Sequence, residues 1–195
     1  MKHFSEISAT AERVVDAAET LIQERGYNGF SYDDVARIVG IKKPSIHHHF
    51  ATKGELAVVV VQRYVHRFKE KLLQIEGSQA GASERLLAYA TLFEQTFSVD
   101  QHLCVCGMLG AEAGALPELV NHEVQVFFDV NMNWLRQVVS EGQRAGQLAK
   151  TVEPQNVAAI YLSLLEGAMV VGRGTRQGVG PASVASQFLK TLKPA

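Results

Sequence analysis

Three consecutive histidines, His47, His48 and His49, stand between Lys42-Lys43-Pro44-Ser45 and Thr52-Lys53. Side chains of these types bind a metal, move protons, or meet something negative. Neighbours on a helix point about 100° apart, so three in a row fan over roughly 200° and cannot close on one ion. Two histidines on one helix face need a spacing of three or four. Proton transfer needs an oriented carboxylate or nucleophile, and none is adjacent in the sequence. The third chemistry fits the neighbours. From Val35 to Gly54 the charged residues are Arg37, Lys42, Lys43 and Lys53, with no acid among them. The net charge is −1, so any grip on a polyanion must be local, and this is the local basic patch.

The elements that carry the patch read as short helices. Val14, Ala18, Leu21 and Ile22 recur with the helical period over 10–25, and Gly26 stops that helix. Ser31 can cap a short helix at about 33–39, with Asp33 and Asp34 in its first turn and Gly40 after its end. Pro44 suits the first turn of another at about 44–50, because it lacks an N–H that would be orphaned there. Two short helices joined by VGIKK form a helix-turn-helix, whose second helix can enter a DNA major groove. Thr52 can cap a long helix at about 53–76. Gly77 and SQAGAS then break the pattern and suggest a boundary. Further helices are expected at about 83–98, 101–114, 117–145, 154–173 and 181–192, with Pro117, Pro154 and Pro181 in first turns and a glycine-rich loop, GRGTRQGVGP, before the last. The chain of 195 residues is all-α in this reading, with a three-helix helix-turn-helix domain over 1–56 and a further helical domain over 57–195.

The stretch FSYDDVARIVGIKKPSIHHHFATKGEL resembles the tetracycline-repressor (TetR) family of bacterial regulators, whose signature is approximately T-x-x-x-I-A-x-x-A-G-V-S-x-G-T-L-Y-x-H-F-x-S-K-x-x-L. Ser31 stands at the opening Thr, Val35-Ala36 at Ile-Ala, and Gly40-Ile41 at Gly-Val. Ser45-Ile46 stands at Thr-Leu, His49-Phe50 at His-Phe, and Thr52-Lys53 at Ser-Lys before Leu56. Pro44 replaces the usual Gly and His47 the usual Tyr. The resemblance implies an Ω-shaped homodimer that represses transcription from a palindromic double-stranded DNA operator until a small molecule binds the C-terminal domain. It implies a phosphate contact for His47, an exposed position for His48, and an inward-packed His49. By the same logic Ser31, Lys42, Pro44 and Ser45 belong to the DNA surface, with Ser45 donating to phosphate. Lys43 suits a base edge, since lysine donates to guanine O6 or N7. Thr52 and Lys53 begin a helix, where free N–H groups favour a phosphate.

The effector is expected among Phe93, Phe97, Cys104, Met108, Glu112, Phe127, Phe128, Trp134 and Tyr161, with His122 and Glu166 as further polar groups. Such a pocket is largely apolar. Some members of the family carry a reactive cysteine eight residues before a Glu, the spacing of Cys104 and Glu112. The surroundings of Cys104 favour an inert thiol, because no lysine or arginine is near it in sequence. Val157–Gly172 holds one charge, Glu166, so both its sides need cover. One side can be its own core. The other is covered either by the same subunit, as in a wholly internal core helix, or by a twofold copy meeting Leu164, Ala168, Val184, Phe188 and Leu192; the family resemblance implies the twofold copy. A rival reading is an all-helical ligand-binding or metal-dependent enzyme without DNA binding. Helical di-iron sites need two Glu-x-x-His pairs, and here Glu118 and His122 stand four apart with no second pair. No catalytic residue, metal ligand or cofactor is assigned. Two cysteines, no 18-residue apolar run and no signal-peptide pattern fit a cytoplasmic protein off the membrane.

Overall fold

The computed structural model describes residues 7–77, 81–176 and 179–194. Residues 78–80 of the expected boundary, 177–178 of the glycine-rich loop and the first six residues of the N-terminal reading lie outside the described residues. Among the described residues there are helices and no strand.

The chain forms two compact units. The first comprises residues up to Arg67 together with Val105–Phe127. In it α1 (Ala9–Arg25) is capped by Ser8, which accepts from the Ala11 amide. Its buried face is Val14, Val15, Ala18, Leu21 and Ile22. It ends at Gly26, whose φ of 75° suits a residue without Cβ. Ser31 and Asp34 form a reciprocal capping box on α2 (Tyr32–Val39). Gly40, left-handed at φ 74°, turns the chain into α3 (Lys43–His49). Val35, Ile46 and Phe50 then meet the α1 face in one small core. Thr52 begins α4 (Lys53–Gly77), accepting from the Glu55 amide at 3.1 Å.

The segment around 101–114 departs from its expected single helix. Asp100 and Gln101 both adopt left-handed φ, 47° and 57°. This delays α6 to Val105–Ala111, after which a single 3₁₀ turn, Ala113–Ala115, tightens the chain before α7 (Glu118–Arg144). Cys104 therefore precedes α6 instead of lying on it.

The second unit comprises Phe68–Cys104 and residues from Phe128 onward. In it α5 (Ala82–Phe97), the later part of α7, α8 (Pro154–Thr175) and α9 (Pro181–Thr191) enclose Tyr89, Leu135, Tyr161, Leu165 and Met169. Gly172 lets α8 approach closely: a Cβ there would lie 2.8 Å from the Phe97 ring. The expected division after residue 56 falls inside α4, which is continuous from Lys53 to Gly77, and packing groups the chain differently from chain order.

By length and composition α8 is apolar enough to cross a membrane, but one face is packed against α5 and α9. Its outward face carries Ile160, Val170 and Val171, exposed by 48%, 58% and 59%. Ser163 and Gly167 lie between them. Ala168 and Leu192, expected at a partner, are only 8% and 6% exposed and face their own core. Leu164 and Val184 are half-buried, and Phe188 stacks on Tyr161 with centroids 5.8 Å apart.

Candidate nucleic-acid interface and effector site

α3 has seven residues, and only Ile46 is fully buried. That one anchor leaves Lys42, Lys43, Pro44, Ser45, His47 and His48 all exposed on the surface around it. His49 is half-buried and sets its ring edge against His48 at 5.5 Å. The full inward packing falls to Ile46 and Phe50; His49, three residues on from Ile46, points about 60° away from it and is only partly covered.

Several of these side chains already have partners. His47 folds back, with Nδ1 at 3.3 Å from the Ala51 carbonyl and its ring edge-on to Tyr32 at 4.8 Å. Tyr32 is fixed in turn, donating its hydroxyl to the Phe50 carbonyl at 3.0 Å. Burial pushes that phenol well above its ordinary range, helped by the Glu55 and Tyr27 charges. With Nδ1 donating to a carbonyl, Nε2 is the ring nitrogen left for any further partner. Ser31 donates its hydroxyl to Asp34 at 2.7 Å, so its proton is already committed. The Asp34 carboxyl is held below the ordinary carboxylate range by the side chain and backbone of Ser31. Lys43 pairs with Asp33 at 2.8 Å. Thr52 accepts from Glu55 and keeps its own proton.

Lys53 is less free than a solvated phosphate contact. Its Nζ donates to the Phe30 carbonyl at 2.5 Å and lies 4.5 Å and 4.3 Å from the Tyr27 and Phe30 ring centroids. Burial pulls its pKa below the ordinary lysine range, against the nearby Glu112 and Asp34 carboxylates. The Tyr27–Phe30 turn is gripped from another side by Glu112. That carboxylate accepts from the Tyr27 amide at 2.5 Å, the Asn28 amide at 3.2 Å and the Asn28 side chain at 3.4 Å. Glu112 thus clamps the turn between α1 and α2 instead of lining a pocket. The early end of α6 directs it there, where backbone donors beyond Gly26 need an acceptor.

The expected effector residues divide between the units. Phe93, Cys104, Trp134 and Tyr161 are all buried in the second. They surround Tyr89, which stacks on Trp134 at 5.4 Å, approaches Phe93 at 5.4 Å and Tyr161 at 6.3 Å. Phe97 packs by Gly172, and Phe128 is half-buried. Met108, half-buried on α6, and Phe127, packed on Tyr64 at 5.6 Å, belong to the first unit. Exposed His122 also lies there.

Polar atoms run through this ring cluster. Tyr89 donates to the fully buried Asn131 at 2.8 Å, and Tyr161 to the Leu86 carbonyl at 2.8 Å. The Glu166 stem is partly open, but its carboxyl end is enclosed. Burial pushes it up to about 7, opposed by a hydrogen bond from the Cys104 thiol. Glu166 Oε1 and Trp134 Nε1 are buried and meet no hydrogen-bond partner among the described residues. Tyr89 and Asn131 are absent from the sequence reading. Asn131 was visible as the one polar residue in the stripe Phe127, Trp134, Leu135, Val138. Both cysteines are buried free thiols. Among the described residues, no three His, Cys, Asp or Glu side chains group as a metal ion requires.

Two segments of the chain match known families. Residues 14–60 match the family model for bacterial regulatory proteins of the tetR family, and 82–188 match the tetracyclin repressor-like C-terminal domain. The crystal structure of a TetR-family transcriptional regulator from Agrobacterium tumefaciens is 31% identical, covers 95% of this chain and 98% of its own, and superposes with a TM-score of 0.87. A TetR transcriptional regulator from Legionella pneumophila is 27% identical over 96% of this chain and 100% of its own, with a TM-score of 0.86. The negative transcriptional regulator IcaR of the biofilm operon icaADBC of Staphylococcus epidermidis is 29% identical over 114 residues, 58% of this chain and 58% of that protein.

Proposed function

Since the chain belongs to the tetR family of bacterial regulatory proteins and is a DNA-binding transcriptional regulator, we propose that it is a homodimeric repressor released from a palindromic operator by a small, largely apolar effector. The observation that carries this reading is the surface of α3: one buried anchor, Ile46, and lysines, a serine and histidines outward around it. Phosphate contacts from His47, Ser45, Thr52 and the start of α4 fix the register of α3, and Lys43 reads a base edge. Such a regulator works in the cytoplasm.

The effector sits among Tyr89, Phe93, Trp134 and Tyr161, whose rings supply its apolar contacts. The unpartnered Glu166 Oε1 and Trp134 Nε1 are the polar groups with capacity to orient it. The partner subunit covers Ile160, Ser163, Gly167, Val170 and Val171 of α8; an apolar stripe with small residues lets two helices approach closely. A gel-shift assay on DNA flanking the protein's own gene, repeated with a library of small metabolites, tests the reading. Selective binding reversed by one compound supports it, and indifference to DNA sequence refutes it.

A further inference from the structure

The face that meets DNA carries an acid. Asp33, in the first turn of α2, and Lys43, at the start of α3, form an ion pair at 2.8 Å with side chains 62% and 47% exposed. The neighbouring Asp34 is taken up by the Ser31 cap and by Arg37 at 3.4 Å. Asp33 binds Lys43 through Oδ2 alone, and its Oδ1 meets no donor among the described residues. A carboxylate facing phosphates is repelled. In the major groove it can be satisfied only by an amino group, N4 of cytosine or N6 of adenine.

Lys43 is a flexible point charge with three protons. Asp33 takes one and so fixes where the other two point, a form of preorganisation. The result is a donor beside an acceptor: Nζ lies 2.8 Å from Oδ2, and Oδ1, the other oxygen of the same carboxylate, is the acceptor left over. In a G·C pair, guanine O6 and cytosine N4 are hydrogen-bond partners, so they stand roughly 2.9 Å apart on the groove edge. One is an acceptor and the other a donor, complementary to the protein pair. A thymine–adenine pair also offers an acceptor beside a donor. There, however, adenine N7, a second acceptor, lies on the carboxylate side, and the thymine methyl crowds the ammonium. In G·C the second acceptor, guanine N7, lies on the lysine side, where another proton is available.

Building on the proposed operator binding, we propose that Asp33 and Lys43 act as one reading unit for a G·C pair. Lys43 donates to guanine O6 and N7, and Asp33 Oδ1 accepts from the cytosine N4 of the same pair. Asp33 is then a specificity-determining residue that the lysine-rich pattern of the segment hides.

The test is selection from a library of random-sequence duplexes by wild type, Asp33→Asn, Asp33→Glu and Lys43→Ala, with affinities then measured on the selected DNA and folding checked by circular dichroism. Wild-type DNA should carry a fixed G·C pair in each half-site, and changing it to T·A should weaken binding roughly tenfold. Asp33→Asn should lose that preference and bind the wild-type site roughly tenfold more weakly, with an unchanged salt slope because no phosphate contact is removed. Asp33→Glu should retain the preference for cytosine. Should Asp33→Asn bind all duplexes more tightly and select the wild-type motif, Asp33 merely neutralises Lys43 and the proposal is overturned. A wild-type motif without the fixed G·C pair overturns it too, leaving the regulator reading intact. Selection of no motif at all defeats both.

Discussion

Glu166→Gln isolates the cost of a carboxyl group enclosed in the second unit. The folded chain holds a proton on this carboxyl up to about pH 7, against 4.5 for an unperturbed glutamate. Below pH 4.5 both states are protonated, and the group does not oppose folding. As pH rises towards 7 the unfolded chain releases its proton first, so stability falls. Above pH 7 the full difference acts, about 3 kcal/mol at about 1.4 kcal/mol per pH unit. Glutamine has nearly the same shape and cannot ionise. The variant should therefore gain up to about 3 kcal/mol over wild type at alkaline pH, and little in acid. For a chain of this length that is a rise in Tm of about 6–12 °C. Thermal unfolding followed by far-ultraviolet circular dichroism, from about pH 5 to about pH 8.5 for both proteins, measures it. Parallel curves over the whole range would show that Glu166 is solvated or paired in the folded chain, and the burial argument would be wrong.

Lys53→Ala should weaken binding to all DNA sequences alike and lower the salt slope by about one, and should also lower Tm because the Phe30 carbonyl and two rings lose a partner. A lowered Tm with unchanged affinity and slope would leave the residue a purely structural role. Val170→Glu should convert a dimer to a monomer in sedimentation, since it buries an unpaired charge at the partner contact, whereas Ala168→Glu should unfold the chain. A Val170→Glu protein that still sediments as a dimer moves the interface off α8. His47→Ala should weaken binding to all duplexes alike by a few-fold relative to wild type, since one backbone contact is lost. Coincident binding curves for the two proteins would remove His47 from the backbone contact.

Most of the helical framework was legible because its punctuation is local. Gly26 and Gly40 stop helices at left-handed φ, Ser31 caps one, and Pro154 and Pro181 open two others, each acting through its own backbone. The failure at 101–114 has the opposite character. Asp100 and Gln101 take left-handed φ without a glycine to announce it, so the late start of α6 left no sequence signal. That displacement sends Glu112 to the α1–α2 turn and leaves Cys104 in a non-helical segment, its thiol hydrogen-bonded to Glu166. On α3 the charge pattern and the family resemblance pointed to lysines and histidines that the structure places at the surface. Pairing across the turn is not periodic. The Asp33–Lys43 contact and the fold-back of His47 onto Tyr32 needed the positions of two helices at once. The same limit applies to α8, where a near-continuous apolar run conceals which side is open until Ala168 is seen facing inward and Val170 outward.

The central claim is that α3 reads DNA. Fluorescence anisotropy with labelled duplex from beside the protein's own gene tests it most directly, comparing wild type with the exposed-face variant Lys42→Ala/Lys43→Ala. The wild type should bind that duplex at least about 10³-fold more tightly than a scrambled one of equal length. The variant, folded by circular dichroism, should lose most of that ratio. A folded wild type that binds both duplexes equally, or a double variant that discriminates as well as wild type, would contradict the account.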